Sequence, residues 1–219
     1  MQYDLHQIRH HTFHGDKKLC QLLALRFPVG RYKNITVKQG DALLFAPPTT
    51  PYKVVANIPY TITSAVLQKF LLEEPKPLSL TLMVQREVAR RVTAIPGAMS
   101  SLAVMAQTYG VTKIVEDVSR TAFFPPPKVD SAVIHIDLFS ATHMADFFRD
   151  LSPAQFFALV HTGFSTPRRQ LHNTIRELFG TAEAAKNALD KAKISPQARP
   201  QELSVANWRA LARQLIRKP

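Results

Sequence analysis

The chain has 219 residues, 46% of them hydrophobic, and carries 28 Lys+Arg against 16 Asp+Glu, a formal net charge of +12. That length holds one good core with room for a small appended unit, and the positive balance points to a polyanionic partner, whose phosphates release counterions on binding. An anionic membrane is the weaker candidate because neither a long uncharged apolar run nor a basic amphipathic repeat is present, and the single cysteine, Cys20, excludes a disulfide framework and a thiolate metal site.

The first residues are polar and lack the apolar segment of a secretory signal, so a cytoplasmic location is expected. His6, His10, His11 and His14 crowd this region, but no carboxylate or thiolate recurs at ligand spacing, so no metal is expected. Met1 to His11 has weak helical or irregular character, and Thr12-Phe13 reads as the end of a strand. His14-Gly15-Asp16 then turns into an amphipathic helix carrying Leu19, Leu22, Leu23 and Leu25. Asn34 to Leu43 predicts a second strand, with Ile35 and Val37 on one face and a Gly40-Asp41 turn at its carboxyl end. Locally, Asp41 reads as the cap of the following turn.

After a loop marked by Pro47, Pro48 and Pro51, Val54-Val55-Ala56 predicts a short buried strand. Pro59 removes a backbone donor and fixes φ, so that strand must stop near Asn57. A helix follows over Thr63–Glu74, with Val66, Leu67, Phe70 and Leu71 toward the core. Leu78–Val84 is apolar enough for a buried strand, and Arg86–Val92 is a helix whose Arg86, Arg90 and Arg91 either meet RNA or form a solvated face. Leu102–Tyr109 predicts a helix and Val111–Val118 a strand. Pro125-Pro126-Pro127 makes a stiff extended connector, after which Val129 to Ile134 alternates as a strand does. This alternation predicts a mostly parallel α/β sheet as far as Leu138.

The character changes at Phe139–His143, which reads as a linker dividing a domain of residues 1–139 from a helical domain of residues 140–219. Each part has a net charge of +6, so positive charge is denser in the shorter one. In a helix beginning near Arg168, Leu171, Ile175 and Leu178 form the apolar stripe. Arg169, His172 and Arg176 fall opposite, as a phosphate-contact face would. Ser204 can cap the last helix. There Trp208, Leu211 and Leu215 face the core, and Arg209, Arg213 and Arg217 face outward.

Asn57-Ile58-Pro59-Tyr60 sits at a strand's carboxyl end, the edge where open α/β sheets bind ligands. The nitrogen of an exocyclic amine is a poor nucleophile while its lone pair is delocalised into the ring. The Asn57 side-chain oxygen and the Ile58 carbonyl, held rigid by Pro59, could each accept one N–H and draw that nitrogen toward tetrahedral geometry. Tyr60 offers a stacking face for a base extruded from its helix. Taken alone, an ordinary strand with a proline turn is the competing reading.

With Phe123-x-Pro125-x-Pro127-x-Val129-x-Ser131, Gln85-Arg86-Glu87-Val88-Ala89, and Phe164 followed by Arg168-Arg169 and Asn173, the sequence resembles the KsgA-type small-subunit ribosomal RNA adenine N6,N6-dimethyltransferases from about residue 12 onward. The resemblance implies a Rossmann-like S-adenosylmethionine-dependent methyltransferase fold with a small all-α C-terminal domain. It also implies ribosomal RNA of the immature small subunit as substrate. Asn57, Ile58 and Pro59 would form the amine-activating turn, with Tyr60 and Phe123 flanking the adenine. His14, Asp16, Asp41, Ala42 and Asn57 would contact the cofactor, His14 standing where the family has an acidic residue. Arg168, Arg169, His172 and Arg176 would meet RNA. Two alternatives stay open: the antibiotic-resistance methyltransferases acting on large-subunit rRNA, and a non-catalytic RNA-binding assembly factor. No strand running into a glycine-rich turn precedes Asp16. The fold is therefore expected to be N-terminally incomplete, with weak S-adenosylmethionine binding and unpaired sheet edges that promote self-association.

Overall fold

A computed structural model describes residues 10–28 and 30–216 of the chain. The character expected of residues 1–9 and the outward placement of Arg217 lie outside the described residues. The chain forms two compact units, Met1–Thr49 and Thr50–Pro219.

In the first unit, β1 (His10–His14), α1 (Lys17–Arg26) and β2 (Ile35–Gln39) make a right-sized crossover for a parallel pair. His10 lies opposite Ile35, and His14 opposite Gln39. Asp16 caps α1, accepting from the backbone N–H groups of Lys18 and Leu19 at 2.7 and 3.2 Å. Both strands end at the same edge, where the Gly40 N–H donates to the His14 carbonyl at 3.1 Å.

The second unit contains β3 (Lys53–Asn57), α2 (Thr63–Leu72), β4 (Ser79–Gln85), α3 (Arg86–Val92), α4 (Ser101–Tyr109), β5 (Gly110–Val118) and β6 (Ser131–Leu138), with strand order β3-β4-β6-β5. β3 and β4 are parallel, while β6 is antiparallel to both of its neighbours. Three strands thus share one direction and β6 opposes them. The reason lies in the connection: residues 119–130 join β5 to β6 without the crossover helix that a parallel return needs.

Leu80, Leu82 and Val84 of β4 are fully buried opposite Ile136, Ile134 and Ala132 of β6. These cross-strand pairs, with Val66, Leu67, Phe70 and Leu71 of α2 also buried, make the sheet's apolar face. β3 departs from the buried strand expected. Val55 is 81% exposed, because among the described residues β3 has one ladder partner and Val55 points away from the covered face.

The remaining helices are α5 (Ala141–Phe147), α6 (Pro153–Gly163), α7 (Leu171–Thr174), α8 (Arg176–Phe179), α9 (Ala182–Lys191) and α10 (Val205–Ile216). Their core of Phe156, Leu159, Leu171, Ile175, Leu189, Trp208 and Leu211 also includes Met99, Ala103 and Val104. The helical part therefore shares its interior with α4.

Trp208 is buried as expected, but Arg209 is turned back onto the protein. Its Nε and Nη2 donate to the carbonyls of Phe147 and Asp146 at 2.9 and 2.6 Å, and its guanidinium lies 4.9 Å from the Phe147 ring centroid. Partial burial and the positive charge of Arg213 lower the pKa of Arg209.

Gly163 ends α6 where Trp208 crosses it: a Cβ there would stand 2.4 Å from the indole ring. Gly163→Ala is expected to destabilise the helical part by about 1–3 kcal/mol through overpacking. Thermal denaturation should show a lowered midpoint.

Candidate active site

Asn57 closes β3 opposite Met83 of β4, and the chain then leaves the ladder as Pro59 requires. Ile58 is buried and anchors the turn, while Asn57 and Pro59 are exposed. Tyr60 opens a short 3-10 turn, Tyr60–Ile62, that runs into α2. Among the described residues, neither the Asn57 side-chain oxygen nor the Ile58 carbonyl receives a hydrogen bond. Two acceptors on consecutive residues, one of them the buried anchor Ile58, are therefore without a protein donor among the described residues.

The Tyr60 hydroxyl shares a hydrogen bond of 2.6 Å with the Ser131 hydroxyl. Ser131 is fully buried and begins β6 opposite Gln85, the last residue of β4. The Asn57–Tyr60 turn and the Phe123–Ser131 motif, far apart in the chain, are thus tied together at one sheet edge. Phe123, half-buried, lies in the connection that leads to Ser131, and Phe124 beside it is fully exposed.

This connection is fastened near both ends by Asp130. Its carboxylate accepts from the backbone N–H of Arg120 at 3.0 Å and from Arg86 Nη2 at 2.9 Å, and the Arg86 N–H donates to the Asp130 carbonyl at 3.0 Å. Arg86 Nε also stands 3.2 Å from Asp117. Sequence reasoning missed this clamp. Arg86 and Asp130 are far apart in the chain, and only the antiparallel register of β4 and β6 brings them together.

In the first unit, the structure gathers the expected cofactor residues at the carboxyl edge of β1 and β2. His14 Nδ1 accepts from the Asp16 N–H at 2.9 Å, which puts the neutral ring's proton on Nε2. The one acceptor of this imidazole is therefore used internally, and the ring presents a donor. Asp16 and Asp41 each engage Oδ1 as a cap, Asp41 from the Leu43 N–H at 2.8 Å, and Ala42 opens the turn that Asp41 caps. Capping uses one oxygen of each carboxylate.

Arg168 and Arg169 are exposed in the segment before α7, and Arg176 is exposed at the start of α8. His172 is not on this face. It is buried, and its Nδ1 pairs with the Pro196 carbonyl at 2.8 Å. The helix starts at Leu171 rather than near Arg168 and breaks at Ile175, which turns Leu171, His172 and Ile175 inward together.

This mixed sheet with flanking helices is the Rossmann-like fold of rRNA methyltransferases. The 23S rRNA methyltransferase ErmE superposes with a TM-score of 0.74 at 28% identity over 94% of this chain and 82% of its own. A dimethyladenosine transferase from Plasmodium falciparum shares the fold with a TM-score of 0.76 at 23% identity, over 93% of this chain and 80% of its own. In sequence, residues 5–216 match the ribosomal RNA adenine dimethylase family. A ribosomal RNA small subunit methyltransferase A from Dehalococcoides mccartyi is 38% identical over 202 residues, 90% of this chain and 67% of the relative. The chain belongs to the ribosomal RNA adenine dimethylase family.

The Arg120 backbone N–H, with the charges of Arg86 and Arg120, holds the Asp130 carboxyl below its ordinary pKa of 3.8, against an opposing contribution from burial. A lowered folded-state pKa contributes stability that is complete above the unfolded value and lost as pH falls through the folded one. The melting-temperature difference between wild type and Asp130→Asn is therefore expected to be largest at neutral pH and to shrink as pH drops below 3.8. A pH series of thermal melts on both proteins measures it.

Proposed function

We propose that this chain transfers methyl groups from S-adenosylmethionine to the N6 amine of adenines in small-subunit ribosomal RNA, forming dimethyladenosine. The supporting observation is the pair of open acceptors, Asn57 Oδ1 and Ile58 O, beside a tyrosine fixed by Ser131. An adenine docked against Tyr60, with Phe123 on its other face, directs its two N6–H groups at these acceptors. Their pull localises the lone pair on nitrogen, and the amine becomes nucleophilic without a protein base. The proton is lost to water after attack.

In the first unit, the donor set fits the cofactor's nucleoside. The open oxygen of Asp41 accepts from an adenine amino group with the Ala42 backbone alongside, Asp16 accepts from a ribose hydroxyl, and His14 Nε2–H donates to a ribose oxygen. Asn57 is the cofactor contact proposed in the second unit. S-adenosylmethionine, when bound, supplies a methyl group on a cationic sulfur. The substrate is the immature small ribosomal subunit in the cytoplasm, with Arg168, Arg169 and Arg176 on its phosphates. Residues 1–139 carry the chemistry and residues 140–219 hold the RNA.

Asn57→Ala is expected to abolish methyl transfer to small-subunit rRNA while leaving RNA affinity within about twofold of wild type, since it removes an acceptor and no phosphate-binding group. Tritiated-methyl incorporation measured beside RNA binding tests this, and wild-type rates in the variant would overturn the assignment.

Replacing Arg168, Arg169 and Arg176 by Ala is expected to weaken RNA binding equally across sequences. The salt dependence should flatten by roughly one unit of slope for each phosphate that no longer has a cation beside it. Filter binding over a salt series measures both effects, and an unchanged slope would make that face merely solvated.

A further inference from the structure

Gln85 and Arg86, at the junction of β4 and α3, face the end of the 119–130 connection across a cleft of about 360 Å³. Its charged lining is Arg86, Glu87, Arg90, Arg120, Lys128 and Asp130. The charges are not balanced. Arg86 is neutralised by Asp117 and Asp130, which also uses up the Asp130 carboxylate. Among the described residues, the side-chain nitrogens of Arg90, Arg120 and Lys128 form no ion pair within 4.0 Å; the Arg120 charge acts on Asp130 without a direct side-chain contact, and Glu87 is the one further anion lining the cleft.

The connection also shapes the cleft. Arg120 Nη1 donates to the Lys128 carbonyl at 3.4 Å, drawing the two ends of the segment together, and Phe124 falls between these residues in the sequence. Phe124 is fully exposed. An exposed phenylalanine forgoes stabilisation that burial would supply. Phe124 does not line the cleft but sits on the connection that carries Arg120 and Lys128, and cations with an open aromatic residue nearby in the chain suit single-stranded nucleic acid, phosphates on the cations and a base on the ring. The location agrees: Asp130 lines the cleft, and the next residue, Ser131, holds the Tyr60 hydroxyl.

We propose that this cleft is a second RNA subsite. It holds the backbone of the single-stranded nucleotides flanking the target adenine on Arg90, Arg120 and Lys128, and it stacks a neighbouring base on Phe124. The inference rests on the reading that an RNA adenine docks at Tyr60. It differs from the surface of Arg168, Arg169 and Arg176 in residues and in what it reads, because it includes a base-stacking element.

The test uses a short single-stranded RNA oligonucleotide in which the base beside a central adenine is 2-aminopurine. Binding is followed by anisotropy over a salt series and stacking by 2-aminopurine fluorescence. Arg90→Gln, Arg120→Gln and Lys128→Gln combined should lower affinity by about tenfold or more and reduce the salt slope by roughly 0.7 per phosphate released, about two units in all. Phe124→Ala should keep the wild-type slope but lose most of the quenching, and Phe124→Trp should restore it. Arg90, Arg120 and Lys128 line the cleft and Phe124 is exposed, and unchanged melting temperatures would confirm that the variants are folded.

An unaltered slope in the triple variant, or full quenching in Phe124→Ala, would overturn the subsite while RNA binding by the wild type continued to support the proposed function. Absence of salt-dependent RNA binding by the wild-type chain would overturn both.

Discussion

The reversed direction of β6 governs where the chemistry can form. β6 starts at Ser131, and because it runs antiparallel to β4, that first residue lies beside Gln85, at the edge where β3 and β4 end. A parallel strand in the same slot would carry Ser131 to the opposite edge, roughly 23 Å away at about 3.3 Å per residue. Tyr60 would then have no partner, and Asp130 could not reach Arg86. The fully buried pairs Leu80–Ile136, Leu82–Ile134 and Val84–Ala132 fix this register, since a slip by one residue would turn every one of these side chains to the other face.

Individual elements were legible where one residue type forces the outcome. Pro59 had to end β3, and the apolar run after Leu78 had to be a buried strand. α3 spans the residues expected of it, and Trp208 is core. Features that depend on distant partners were not legible. Nothing local announces that β6 reverses, that Arg86 meets Asp130, or that Val55, apolar in an apolar run, lies on an uncovered face. His172 was misplaced because at about 100° per residue it lies only about 60° from Ile175, on the buried side of a helical turn that ends at Thr174. Capping and cofactor readings of Asp16 and Asp41 competed in the sequence, yet a carboxylate has two oxygens and the cap engages only one.

The helical part supports the RNA-facing surface by the same logic. Trp208 packs against Gly163 and Phe164, whose ring lies 5.5 Å away, so the end of α6 is pinned where the segment bearing Arg168 and Arg169 begins. The arginines are exposed, but their backbone departs from a fixed point. On the other side of the core, α4 contributes Ala103 and Val104, so the four-stranded sheet and the helices cannot open independently without exposing apolar surface.

Base choice follows from what the open acceptors at Asn57 and Ile58 do when water leaves. In the free protein water satisfies both, so their exposure costs little. A docked base displaces that water, and only a group with two N–H donors can replace it. The N6 amine of adenine has both, and the N4 amine of cytosine and the N2 amine of guanine do too, whereas guanine O6 and uracil O4 present acceptors. Acceptor facing acceptor leaves buried groups unsatisfied at about 1–3 kcal/mol each, enough to reject uracil, and guanine entering by its O6 edge, by about tenfold or more. Cytosine passes this filter and must be refused by the aromatic slot between Tyr60 and Phe123, where a single pyrimidine ring covers less of either face than a purine. In the proposed reaction, the turn selects for an amine and the aromatic pair for a purine, and adenine meets both with its N6 edge.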